Sequence, residues 1–172
     1  MITNDDISRA ASRLSKRLVH GFLRPPAIRG FDGMAYHFKG VDTIHIEPGF
    51  DARTTAYIIT HESAHILHGT ASEISPDLPP GSLELSAVGQ WARKVAQESG
   101  GNEARADAQA QIWMDYCDKY WRRYPYPDEL EARLACLAEY PWQEIIDRAT
   151  GTGFRVGKAT ALKYLSENRS MK

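Results

Sequence analysis

Residues 51–69 read Asp-Ala-Arg-Thr-Thr-Ala-Tyr-Ile-Ile-Thr-His-Glu-Ser-Ala-His-Ile-Leu-His-Gly, and the fold is organised around them. Ala52 to His68 contain no Gly or Pro, Asp51 is a strong N-cap, and Gly69 stands where a helix ordinarily stops. On that helix His61 and His65 are four residues apart, so both imidazoles leave one face, one turn apart. This is the spacing at which a single zinc ion takes a nitrogen from each. Glu62, beside the first histidine, can reach a metal-bound water without ligating the metal. A catalytic zinc uses three protein ligands and keeps one position open, so a third ligand must come from elsewhere.

Downstream, Gly100-Gly101 precedes a helix-compatible stretch that runs to about Trp121 and carries Glu103 and Asp107, again four apart. Glu103 is the candidate third ligand. Asp107 is the candidate acceptor for the outer N–H of a ligand histidine, the contact that fixes ring orientation and tautomer. Alone, such acids are more often solvated charges on a surface helix. Behind an HExxH, framed by small residues that allow close helix packing, the ligand reading is the stronger one.

HExxH with a later Glu-x-x-x-Asp resembles the Glu-zincins, the thermolysin-like zinc peptidases. The chain is more closely similar to the small ImmA/IrrE-type metallopeptidases and their ArdC-like antirestriction relatives. The likeness rests on Thr43-Ile44-His45-Ile46-Glu47, on His61-Glu62-Ser63-Ala64-His65-Ile66-Leu67-His68 and on Glu103-Ala104-Arg105-Ala106-Asp107-Ala108-Gln109-Ala110, within roughly residues 35–120. Arg105 and Gln109 depart from the family's Glu and Phe at positions that are not ligands.

The resemblance implies an α+β, zincin-like domain, mostly helical, with a small sheet before the HExxH helix. It implies one Zn²⁺ on His61, His65 and Glu103, Asp107 beside His61, and Glu62 as general base in hydrolysis of a peptide bond. The implied substrate is a transcriptional repressor or another DNA-associated protein. The alternative is a DNA-binding regulator or antirestriction factor whose zinc is mainly structural; against it, structural zinc is normally closed by four protein ligands. A developing oxyanion needs a further donor. Tyr57, one turn before His61, and His68, after His65, are the candidates, each also readable as a packing residue.

At 172 residues and 42% hydrophobic, the chain suits one core, with residues 1–142 as the metallopeptidase domain and 143–172 as a helical extension. Cys117 and Cys136 lack CxxC spacing and read as buried thiols in a reducing compartment. With no apolar signal segment and no membrane-length run, the expected location is the cytoplasm. The net charge of −1 conceals +4 over residues 1–30, +4 over 154–172 and −9 between them. Arg9, Arg13, Lys16 and Arg17, with Arg155, Lys158 and Lys163, are therefore either solvated or one DNA-contacting surface. The final segment, a short helix from Gln143, a Gly-Thr-Gly turn and a helix from Val156, resembles a helix-turn-helix. Its glycines and Lys158 fail the P-loop spacing, so no nucleotide is expected there.

Between these landmarks, Asn4 is expected to cap a first helix with Ile7, Ala11, Leu14 and Leu18 on one stripe. Residues 21–33 read as a loop. Ala35 to Lys39 and Thr43 to Glu47 read as strands joined at Gly40-Val41-Asp42, with His45 opposite Ile44 and Ile46 as a structural or exposed residue. Thr70 to Ser82, rich in Pro, reads as a cleft rim, followed by a helix from about Leu83 to Glu98 and then the Glu103 helix. Tyr124 and Tyr126 read as groove-shaping or loop-packing aromatics.

Overall fold

The computed structural model describes residues 1–84 and 90–142, and of residues 90–100 only the backbone course. Helix α1 spans Asn4–Ser15 and is capped by Thr3, not Asn4. Thr3 Oγ1 accepts from the Asp6 N–H while the Asp6 carboxylate accepts from the Thr3 N–H, a closed capping box. Ile7, Ala10, Ala11 and Leu14 form its buried stripe. Leu18 is left off it and 71% exposed, because Lys16 turns left-handed (φ 56°) and ends the helix first.

Asn4 is used differently. It begins a row with Ser8 and Ser12, one residue per turn, which faces strand β1 (Val19–Leu23). The Val19, Gly21 and Leu23 N–H groups donate to Ser12 Oγ (2.9 Å), Ser8 Oγ (2.8 Å) and Asn4 Oδ1 (3.2 Å). That row makes a strand of residues that sequence reading assigns in part to a loop. Gly21 is required at the contact, since a Cβ there would lie 2.4 Å from Ile7 Cγ2.

Strands β2 (Gly33–Phe38) and β3 (Val41–Ile46) form a hairpin. Its turn is Lys39-Gly40, both at positive φ (52° and 76°), so β3 begins at Val41, earlier than the sequence suggests. The sheet order is β1-β3-β2, with β3 parallel to β1 and antiparallel to β2. On one face Val19, Ala35, Ile44 and Ile46 join the main core with α1 and α2. On the other, Met34 and Tyr36 pack with Ala27 and Ile28 of the loops.

Helix α2 spans Ala52–His68, with Thr54 N–H donating to Asp51 Oδ1 at 2.7 Å and Gly69 ending it at φ 72°. Helix α3 spans Gln90–Tyr120 and α4 Glu129–Ala138, with a 3₁₀ turn over Trp121–Arg123 between them. The expected break before Glu103 is absent, and α3 runs straight through Gly100-Gly101. Mid-helix glycine costs only about 1 kcal/mol relative to Ala, and packing against α2 and α4 outweighs that. Asp118 ties the helices together, accepting from Arg53 of α2 (2.8 Å) and Arg133 of α4 (2.7 Å). The architecture is α+β. Among the described residues no helix is long and apolar enough to cross a membrane.

Candidate metal centre

The capped, uninterrupted α2 presents His61 and His65 to α3, whose Glu103 sits opposite both. Glu103 Oε2 is 2.9 Å from His61 Nε2, Glu103 Oε1 is 3.0 Å from His65 Nε2, and the two Nε2 atoms are 3.2 Å apart. Two imidazole nitrogens and a carboxylate oxygen thus converge on one point, a group that could hold a metal ion. Tetrahedral zinc, with bonds of about 2.0–2.2 Å, sets its ligand atoms roughly 3.3–3.5 Å apart. The observed separations are within a few tenths of an ångström of that, so the donor set and spacing fit.

Each ring is held at its other nitrogen. His65 Nδ1 lies 2.7 Å from Thr70 Oγ1, and that hydroxyl in turn approaches the His65 carbonyl at 3.4 Å. A hydroxyl that donates to the carbonyl can accept from Nδ1–H, the arrangement in which Nε2 would be available to a metal ion. Asp107 Oδ1 is 2.9 Å from His61 Nδ1, off the line of the ring N–H, so charge rather than a linear hydrogen bond holds this pair. Asp107 is itself anchored, because the Tyr57 hydroxyl donates to Oδ1 at 2.7 Å.

Charge at the site is finely opposed. Burial alone would push His61 down, but Glu103 at hydrogen-bond distance and the charges of Glu62, Glu103 and Asp107 outweigh it and raise the ring to about 9. Hydrogen bonds from His61 and His65 hold Glu103 well below the usual carboxylate range. Glu62, buried at 8% exposure, moves the other way. Desolvation raises it.

The convergence lies in a cleft of about 480 Å³ between α2, α3 and the free edge of β2. Gly33 opens it: a Cβ there would meet Ile58 Cγ2 at 2.5 Å and Glu62 Oε2 at 3.0 Å. The outer side of β2 can be read from its partners. His37 N–H donates to Ser72 O (2.7 Å) and Ser72 N–H to Ala35 O (2.9 Å), whereas Asp32 O accepts from Glu47 on the β3 side. By alternation, the N–H and C=O of Gly33 and the N–H of Ala35 face the cleft.

The remaining sequence candidates fall elsewhere. Tyr57 lines the cleft, but its hydroxyl serves Asp107, and His68 is not among the lining residues. Arg9 pairs with Asp6, Arg13 donates to the Tyr140 carbonyl, Lys16 sits over the Trp142 ring and Arg17 pairs with Asp42. These contacts distribute the four cations among separate partners. Arg155, Lys158, Lys163 and the helix-turn-helix segment lie outside the described residues. His45 is buried, with Nδ1 3.0 Å from the Tyr36 hydroxyl, and lies on the sheet face away from the metal ligands.

Sequence reasoning missed Thr70, Gly33 and Ser72. Thr70 was the accessible one, since a helix ended by Gly69 folds the next residue back over the last turn, where His65 stands. Comparison with family models, with curated proteins and with solved structures finds no match.

Proposed function

We propose that this chain is a zinc-dependent endopeptidase of the zincin type, acting on an extended segment of a protein substrate. One observation carries the reading: His61 Nε2, His65 Nε2 and Glu103 converge within 3.2 Å of one another at the floor of an open cleft, with buried Glu62 beside them. A zinc ion at that point would supply a Lewis acid and a water with a pKa near 7. His61, His65 and Glu103 hold the ion; Thr70 and Asp107 fix the two rings. Glu62 takes a proton from the attacking water and returns it to the leaving amine nitrogen. The substrate lies extended against Gly33 and Ala35, whose outward N–H and C=O groups add it to the sheet as a further strand.

The reading of a DNA-associated regulator with a structural zinc has less support. Three protein ligands and an open cleft leave a coordination position for chemistry, whereas structural zinc is normally closed by four. The test is metal content of the purified protein beside His65→Ala, together with cleavage of an unfolded protein substrate by wild type and Glu62→Gln. Stoichiometric zinc lost in His65→Ala, with cleavage lost in both variants, is the expected result. Zinc-loaded protein that cleaves no unfolded chain or peptide pool would overturn the peptidase reading.

A further inference from the structure

Cys117 of α3 and Cys136 of α4 are both fully buried and carry free thiols. The chain has two cysteines in all, so each is the other's one possible partner within the molecule. The Cys117 thiol donates to the Arg133 carbonyl at 3.8 Å. Arg133 and Cys136 stand three residues apart on α4 and therefore share the face turned toward Cys117. Across that contact the two thiols are hydrogen-bonded to each other. The metal centre makes no use of them. Cys117 lies fourteen residues beyond Glu103, roughly 21 Å along α3.

A buried cysteine ordinarily serves as a small apolar side chain. The surroundings of Cys117 are of another kind. Arg133 is 5% exposed, and its Nη1 lies 3.7 Å from Cys117 Sγ while donating to Asp118 Oδ1 at 2.7 Å. A guanidinium beside a thiol favours the thiolate, which is the nucleophilic form. The hydrogen bond from Cys136 and the Arg133 charge hold Cys117 below the ordinary thiol range, against the effect of burial. Giving that hydrogen bond to Cys117, together with burial, pushes the Cys136 thiol up. The two sulfurs thus differ in the way an attacking and a resolving cysteine differ.

We infer that Cys117 and Cys136 form a reversible disulfide site, in which Cys117 reacts with a hydroperoxide and Cys136 closes the bridge. The Cys117 thiolate attacks one peroxide oxygen. The S–O bond forms, the O–O bond breaks, and the departing oxygen takes up a proton as water or an alcohol. The Cys136 sulfur then attacks the Cys117 sulfur. The S–S bond forms, the S–O bond breaks, and the hydroxyl leaves with the Cys136 proton as water. Two thiols are oxidised and one peroxide is reduced, with no further reactant. Exchange with a small thiol reverses the bridge. Because both sulfurs are covered, attack waits on local opening at the α3–α4 contact and not on unfolding of the whole chain. The site is independent of the peptidase reading.

The reduced full chain is treated with hydrogen peroxide, quenched with N-ethylmaleimide in denaturant and weighed intact without reductant. The expected product is a monomer lighter by about two mass units that takes up no maleimide, and dithiothreitol restores both properties. Cys136→Ser should stop at a Cys117 sulfenic acid, trapped by dimedone at a rate within a few-fold of wild-type oxidation. Cys117→Ser should react about tenfold more slowly or less, since the remaining thiol has no neighbouring thiol and no guanidinium contact of its own. Melting temperature serves as the fold control for both serine variants, and the wild-type chain alone decides whether the bridge forms. Two maleimide-reactive thiols after treatment, oxidation past sulfenic acid without a bridge, disulfide-linked dimers alone, or a bridged chain without a cooperative melt would each overturn the site. Equal rates in the two serine variants would overturn Cys117 as the attacking thiol.

Discussion

The two edges of the small sheet have opposite fates. At the β1 edge every second N–H is taken by α1, through Asn4, Ser8 and Ser12, so no extended chain can add there. At the β2 edge, among the described residues, Ser72 covers only Ala35 O and His37 N, and the Gly33 end opens onto Glu62, His61 and His65. An unpaired strand edge is an aggregation hazard unless something manages it. Here one edge is sealed by a polar helix row, and the other is kept short beside the His61, His65 and Glu103 group.

The largest expected effect belongs to the open edge. Glu62→Gln should lower peptidase turnover by about 10² to 10⁴ while zinc remains stoichiometric, because it removes the base and no ligand. Parallel measurement of bound metal and of cleavage rate checks both halves. Loss of zinc in this variant would reassign Glu62 to the metal.

Next in size is the pH dependence of metal binding. In the metal-free protein His61 is raised to about 9, so below that pH zinc must displace its proton. Affinity should therefore fall roughly tenfold per pH unit, about 100-fold between pH 8 and pH 6. Calorimetry in buffers of different ionisation heat should show about one proton released per zinc near pH 7.5. The sign for stability follows. A raised histidine stabilises the metal-free fold fully below its unfolded value near 6.5, and that contribution is lost as pH rises through about 9. His45, lowered to about 4, contributes in the opposite sense: its share is present above about 6.5 and is lost as pH falls toward 4. His61→Gln should flatten the alkaline limb of the chelated protein's melting curve, and His45→Gln the acid one.

The ligand helix was legible because every device on it is local: an Asp cap, a four-residue histidine spacing and a glycine stop. Glu103 was legible for the same reason, through its spacing to Asp107. What escaped were contacts between elements distant in sequence. Nothing in Val-His-Gly-Phe-Leu announces a strand until Asn4, Ser8 and Ser12 are seen to face it. Gly100-Gly101 suggested a break because propensity is local, whereas the packing that carries α3 through them is tertiary. Helix position alone leaves Tyr57 either an oxyanion donor or a packing residue, and only the fold places Asp107 2.7 Å from its hydroxyl.

A middle-sized prediction concerns Gly33, where strand and the Glu62 carboxylate meet. Gly33→Ala places a methyl 2.5 Å from Ile58 Cγ2 and 3.0 Å from Glu62 Oε2, so one must move. Overpacking of this kind costs about 1–3 kcal/mol. Denaturant unfolding should show that loss, and cleavage should fall further than the unfolded fraction explains, because Glu62 is displaced. A variant with wild-type stability and rate would mean that Gly33 does not hold the cleft open.

The smallest effect belongs to the sealed edge, and it distinguishes a sealed edge from one that is merely covered. Ser8 Oγ accepts from Gly21 N–H at 2.8 Å and Ser12 Oγ from Val19 N–H at 2.9 Å. Each serine also returns a hydrogen bond, Ser8 to the Asn4 carbonyl at 2.8 Å and Ser12 to the Val19 carbonyl at 3.1 Å. Replacing either by Ala strands a strand N–H that is only partly reachable by water, at about 1 kcal/mol. The two share one strand, so the double variant should cost more than the sum of the singles once β1 loosens. Zinc content and cleavage should be unchanged, since β3 separates this edge from the cleft. Urea unfolding measures the cost, and sedimentation at increasing concentration measures whether the freed edge pairs with another copy. If the double variant is as stable and as monomeric as either single, the serine row is incidental and α1 protects β1 by apolar packing alone.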